Sequence, residues 1–203
     1  MTVHSTALAG PAPVVLPGQA RHDRILGTLG MLGSPFLFLS LAANGFAQGD
    51  SNRLGAALGL LFAAGWLANV LGLRALAVAG TSRPARVLLA IQVVTVTLAG
   101  IFQVYEFAAP GSGSLLYTIT DVAWPLSMLL LLITGIVALR ARTFDGWLRF
   151  TPLLAALWLP LGIAEMAAIG ETVGQAVGGL HTAIGWFLIG YAVQRGGRLS
   201  ARA

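Results

Sequence analysis

Tyr117-Thr118-Ile119-Thr120-Asp121-Val122-Ala123-Trp124-Pro125-Leu126-Ser127-Met128 opens a run that stays apolar to Leu139. A helix needs about 20 such residues to cross roughly 30 Å of hydrocarbon. This run is long enough, yet its first half carries an acid, an aromatic and a proline. A carboxylate inside a membrane span costs about 3 kcal/mol on insertion scales, so Asp121 marks a candidate functional position.

The rest of the chain has the same apolar character. Of 203 residues, 57% are hydrophobic and 9% charged, whereas a soluble domain is about 25% charged. The composition reads as a multi-pass membrane protein. The net charge of +5 would suggest nucleic acid in a soluble chain. Here the positive charge sits at the ends of apolar runs, so no nucleic-acid partner is expected. There is no cysteine, hence no disulfide, thiolate metal site or cysteine nucleophile. All 12 residues of the Lys+Arg count are arginine, which removes a Schiff-base lysine and with it a retinal pigment. Arginine in place of lysine, with abundant alanine and glycine, suggests a GC-rich bacterial genome.

Six apolar runs are expected as helices at about 25–46, 54–78, 87–108, 115–139, 148–169 and 173–193. In lipid each backbone polar group must be satisfied within its own segment, which favours helices over strands. The breaks carry turn residues: Gln48-Gly49-Asp50-Ser51, Thr81-Ser82-Arg83-Pro84, Pro110-Gly111-Ser112-Gly113 and Asp145-Gly146. All connections are short, so successive helices form antiparallel hairpins. The expected architecture is an all-α integral membrane bundle, residues 21–195. It follows a flexible cytoplasmic tail (1–20) that lacks the basic start of a signal peptide, and it ends in a basic cytoplasmic tail (196–203).

The charges orient the bundle. Arg21, Arg24, Arg74, Arg83, Arg86, Arg140, Arg142, Arg149, Arg195, Arg198 and Arg202 fall at one end and only Arg53 at the other. Basic residues stay on the cytoplasmic side, which puts both termini inside and predicts a bacterial inner (cell) membrane location. The acids are biased the other way. Asp50, Glu106, Asp121, Glu165 and Glu171 lie at or toward the outer end, Asp23 and Asp145 at the inner. The arginine rim also predicts anionic lipid headgroups as partners at the cytoplasmic face.

Helical spacing places polar residues on defined faces. Gln92, Thr95, Ala99, Gln103 and Glu106 make one stripe on the third run. Tyr117, Asp121, Trp124 and Met128 share a face of the fourth, with Thr120 and Ser127 at its edge. Thr151, Trp158, Gly162 and Glu165 align on the fifth, and Gly174, Gly178, His181 and Gly185 on the sixth. Gly27, Gly30, Ser34, Leu37, Leu41 and Asn44 align on the first. For the small and hydroxyl residues the plain explanation is close helix packing. Gly59-Leu-Leu-Phe-Ala-Ala-Gly-Trp66 also resembles Gly179-Leu-His-Thr-Ala-Ile-Gly-Trp186, which would suit a duplicated hairpin.

If all the stripes face inward, Glu106, Asp121, Glu165 and His181 converge in one outer-half pocket, with Gln103 beside them and Tyr117, Trp124 and Trp158 as walls. Against this, Glu106 and Glu165 are close enough to their helix ends to snorkel to the interface, and Tyr117 is a natural interfacial anchor. Pro35, Pro125 and Pro160 are each expected to kink a helix and free a backbone carbonyl. Carboxylates in low dielectric hold and exchange protons. The pocket therefore suits a carrier or binding protein for an unidentified small solute coupled to protons, expected to work as a homo-oligomer. The alternatives are a membrane enzyme using acid–base chemistry on a lipophilic, isoprenoid-like substrate, and an accessory subunit without chemistry. No catalytic residue is assigned. A metal held by Glu106, Asp121, Glu165 and His181 lacks any diagnostic ligand spacing. Haem lacks a histidine pair, since His22 and His181 lie at opposite ends. No cofactor is expected.

Overall fold

The computed structural model describes residues 17–46 and 52–200; the connection expected at 48–51 and most of the two tails lie outside them. The described chain is helical, with no strand. Its elements are α1 (Pro17–Gly33), α2 (Phe36–Ala43), α3 (Arg53–Ala75), α4 (Arg83–Ala108) and α5 (Leu115–Ala141), a 3₁₀ turn (Gly146–Phe150), α6 (Thr151–Ala156), α7 (Trp158–Ile169) and α8 (Glu171–Ser200). Five helices are long and apolar enough to cross a membrane. They are Arg21–Ala43, Arg53–Ala75, Arg83–Ala108, Leu115–Ala141 and Glu171–Gly196. The pair Gly146–Ala156 and Trp158–Ile169, bent by 51°, makes up to a sixth.

Local chemistry sets the ends. Asn52, Ser82 and Ser114 cap α3, α4 and α5 by accepting from the backbone N–H of Gly55 (2.7 Å), Ala85 (3.4 Å) and Tyr117 (3.2 Å). The turn from α7 into α8 is made by Gly170, whose φ of +84° suits glycine alone. Two of the three prolines expected to kink a helix do so. Pro35 separates α1 from α2, and Pro160 lies just past the 51° bend between α6 and α7. Pro125 sits inside a continuous α5. Helix also extends beyond the expected limits, starting at Pro17 and continuing to Ser200.

The helices pack around a ring in chain order, and α8 closes it against α1. The exterior is unlike that of a water-soluble protein. Ile91, Val94, Ile101 and Val104 of α4 and Leu115, Ile119, Val122 and Leu126 of α5 point outward. Gln92, Thr120, Ser127, Thr134 and Thr182 are fully enclosed. An apolar exterior over polar interior contacts is compatible with a bundle surrounded by lipid.

Glycines let the helices touch. A Cβ on Gly33 would sit 2.5 Å from the Gly65 Cα, and one on Gly27 would sit 2.5 Å from the Gly190 carbonyl oxygen. At the centre, Phe62, Trp66, Trp124 and Trp186 form an aromatic cluster, with five ring pairs 5.6–5.9 Å apart. Trp66 and Trp186, which end the two similar sequence segments, meet edge-on at 83°.

Candidate functional site

Above the aromatic cluster, toward the end where Asn44, Asn52, residues 109–114 and Gly170 lie, the ring opens into a vestibule of about 240 Å³. Every part of the ring contributes to its wall. Leu37, Ser40, Leu41 and Asn44 come from α2 and its C-terminus, Gly55 and Ala56 from α3, and Phe102, Gln103 and Glu106 from α4. Trp124, Trp158 and Gln175 come from α5, α7 and α8. A cavity of about 150 Å³ already holds benzene, so a small organic molecule fits.

Glu106 is the charged group of this wall and is 8% exposed. It is one turn from the end of α4, yet it does not turn out to the interface. The Tyr117 hydroxyl donates to its Oε1 at 2.5 Å, a short charge-assisted contact that holds the carboxylate inward. Tyr117 is fixed in turn against Phe102 and Tyr105, with centroids at 5.2 and 6.3 Å. Gln103, one turn deeper, lies over the bare Cα of Gly59, so the glycine makes room for the amide. Ser40 donates to the Gly55 carbonyl at 2.7 Å. Asn44 accepts from the Asn52 backbone N–H at 3.2 Å, which ties the rim together.

A second cavity of about 160 Å³ adjoins the vestibule, sharing Trp158 and Gln175. Its walls are α7 and α8. Here the Trp158 indole N–H and Glu165 Oε2 are buried and have no hydrogen-bond partner among the described residues. Both approach Gly178, at 3.2 and 3.7 Å from where a Cβ would stand. A donor and a carboxyl oxygen, both near the bare face of one glycine, leave a position that a small polar group can bridge. Cost supports the point, because a buried polar group left unpaired loses about 1–3 kcal/mol.

The expected convergence of Glu106, Asp121, Glu165 and His181 is not what the structure holds. Glu106 lines the vestibule and Glu165 lies beside the adjoining cavity. Asp121 is exposed on the outer surface of the bundle. The reason is the rotation of α5, whose inward face is Thr120, Ala123, Ser127, Leu131 and Thr134. Successive helical residues are about 100° apart, so burying Thr120 swings Asp121 out. His181 faces a shallow outer groove with Leu154, Ile184, Gly185 and Leu188. Its Nε2 lies 2.8 Å from the Leu154 carbonyl oxygen, so it serves as the donor of a bond that braces α8 against the bent α6–α7 pair. No group of three or more His, Asp or Glu residues is placed to hold a metal among the described residues.

Gln103, Trp124 and Trp158 do line the vestibule, and Tyr117 touches it through Glu106. Ser40 and Gln175 were not singled out from the sequence. Both were accessible to spacing: Ser40 lies three residues after Leu37 and four before Asn44, and Gln175 lies three before Gly178.

Below the aromatic cluster lies a smaller polar layer. The Thr134 hydroxyl donates to Gln92 Oε1 at 2.8 Å. Asn69 Nδ2 donates to the Trp186 carbonyl at 3.0 Å. Both amides are buried on the arginine-rich side of the cluster.

No family model matches the chain, and neither does any curated protein or solved structure.

Proposed function

We propose that this chain is a six-span bacterial inner-membrane protein, with both termini cytoplasmic, that binds a small organic cation in the vestibule and carries it in exchange for protons. The observation that carries this reading is Glu106. It is a buried carboxylate in an organic-sized cavity whose wall has two tryptophans, three amides and no basic residue. A cation is favoured there twice, by the carboxylate and by the electron-rich indole faces of Trp124 and Trp158. An anion would meet uncompensated negative charge.

We assign the proton exchange to the same buried group. When Glu106 is protonated, the vestibule has no net charge to offer. When a cation enters, the proton leaves to the outer water and the carboxylate pairs with the solute. Glu165 supplies a second such carboxylate next door. The Phe62–Trp66–Trp124–Trp186 cluster lies across the route beneath the vestibule. Inward release requires the cluster to part, after which Asn69, Gln92 and Thr134 are the next polar stations. The bend between α6 and α7 carries Trp158 and is the natural place for that movement.

The test is tetramethylammonium binding to the purified full chain, read by quenching of tryptophan fluorescence, together with its uptake into liposomes under an imposed pH difference. Glu106→Gln keeps an acceptor for Tyr117 and removes the charge. A contact ion pair at an effective dielectric of about 20 is worth about 4 kcal/mol, and partial hydration reduces this. The variant should therefore weaken binding at least about 30-fold and abolish pH-driven uptake. Equal affinity in wild type and Glu106→Gln overturns the cation site. Binding that is lost without any uptake in the wild type leaves a binding protein and overturns the carrier.

A further inference from the structure

At the arginine-rich end, outside the ring, the segment Gly146-Trp147-Leu148-Arg149-Phe150 has no role in the vestibule. It winds as a 3₁₀ turn, in which residues three apart fall on one face. Trp147 and Phe150 therefore project together, and Leu153 and Leu154 of α6 and Leu157 at its C-terminal end continue the row. These five residues line a wholly apolar groove of about 330 Å³ on the exterior. Trp147, Phe150 and Leu154 are 40–54% exposed.

The groove has a charged end. The Arg149 guanidinium lies over the Phe150 ring at 4.8 Å. On the facing helix, Tyr191 stacks against Trp147 with centroids 6.3 Å apart and planes 15° apart. The Arg195 guanidinium lies 5.4 Å from the Tyr191 centroid, and its Nε donates to the Tyr191 hydroxyl at 3.0 Å. Arg149 thus lies against one lining aromatic, Phe150, and Arg195 against Tyr191, which stacks on the other, Trp147. Neither arginine is in an ion pair among the described residues, and the Arg149 Nε–H has no acceptor there. Asp145, exposed, lies just before the segment, which itself holds no acid.

We propose that this groove is a discrete binding site for one anionic phospholipid, with the phosphate between Arg149 and Arg195 and an acyl chain along Trp147, Phe150, Leu153, Leu154 and Leu157. Length supports the assignment. From Trp147 to Leu157 the row runs about 17 Å, close to one leaflet, which is half of a roughly 30 Å hydrocarbon layer. The row ends where the helix bends at Leu157, near mid-bilayer. An arginine pair with planar donors suits phosphate oxygens, and the aromatics belong at the headgroup level. The site is independent of the vestibule, because it lies on the opposite end and on the exterior.

The experiment reconstitutes the full chain in equal parts phosphatidylglycerol and phosphatidylcholine, then counts the lipids retained after detergent extraction by native mass spectrometry. Wild type should retain a single phosphatidylglycerol in preference to phosphatidylcholine. Each arginine near a membrane surface contributes about fivefold, so Arg149→Gln and Arg195→Gln should each lower that preference about fivefold. The double Lys variant at both positions should keep most of it, which separates charge from folding. Leu154→Trp, which fills the groove and leaves the arginines, should remove the retained lipid. Equal retention of both lipids in wild type overturns the site. So does an equal loss in the control Arg83→Gln/Arg86→Gln, which would mean a general basic rim instead.

Discussion

Replacing Gly65 with alanine should destabilise the bundle, whereas the same change at Gly100 should not. A Cβ at position 65 would lie 2.6 Å from the Gly33 Cα, where two helix backbones cross. Carbon atoms pack at about 3.5–4.0 Å, so α1 and α3 must separate by about 1 Å or more. Backbone cannot swing away as a side-chain tip can. Overpacking of this kind costs about 1–3 kcal/mol. At Gly100, the nearest atom to an added Cβ is the Ala63 Cβ at 3.6 Å, an ordinary contact. Both glycines are inside helices, and alanine improves helix propensity by about 1 kcal/mol at either. The difference between the two variants removes that shared term and isolates the crossing at about 1–3 kcal/mol. Reversible unfolding in mixed micelles, followed by circular dichroism, measures it. Gly33→Ala/Gly65→Ala should cost less than the two single changes together, because helices already parted by one methyl group accept the second more easily. If Gly65→Ala is as stable as Gly100→Ala, the α1–α3 contact described here is wrong.

The Gln92 Nε2 has no partner among the described residues, so Thr134→Val, which removes the donor to Oε1, leaves the buried amide with none and should lower stability by about 1 kcal/mol, in keeping with hydrogen bonds between membrane helices. Gln92→Met/Thr134→Val should recover part of that loss, and strictly additive losses in the same unfolding measurement would show that the pair does not interact. Asp121→Leu exchanges an exposed acid for an apolar side chain on the outer face of α5. It should leave tetramethylammonium affinity within about twofold and maintain or raise the melting temperature in bilayers, where an unpaired carboxylate is unfavourable; a loss of affinity like that of Glu106→Gln would return Asp121 to the site.

Much of the candidate site could be read along α4. Gln92, Thr95, Ala99, Gln103 and Glu106 are spaced for one face of a helix, and that face is enclosed. No competing polar stripe exists on α4, so local periodicity decides its rotation. On α5 two stripes compete. One contains Asp121 and Met128, the other Thr120, Ser127 and Thr134. Thr134 pairs with Gln92, and the hydroxyls of Thr120 and Ser127 return to carbonyls of their own helix at 2.9 and 2.7 Å. These groups are satisfied on burial, whereas Asp121 would need a partner. The second stripe takes the centre and Asp121 is left outside, although Met128 on its stripe is fully buried; the contact with Gln92 that favours this rotation is invisible in α5 alone.

The sequence by itself determined the helical class, the length and apolar character of the membrane-sized segments, the turns near 81–84, 110–113 and 145–146, and the segregation of arginines from acids. These depend on composition and on hydrogen bonds closed within each segment, so no distant contact is needed to specify them. Only the tertiary structure decided which carboxylate faces the interior, that Ser40 and Gln175 join the wall, and that His181 braces a bent helix. Those outcomes rest on the rotation of each helix about its own axis. Rotation is set by how the helix surfaces fill the centre together, around Phe62, Trp66, Trp124 and Trp186, and no single segment carries that information.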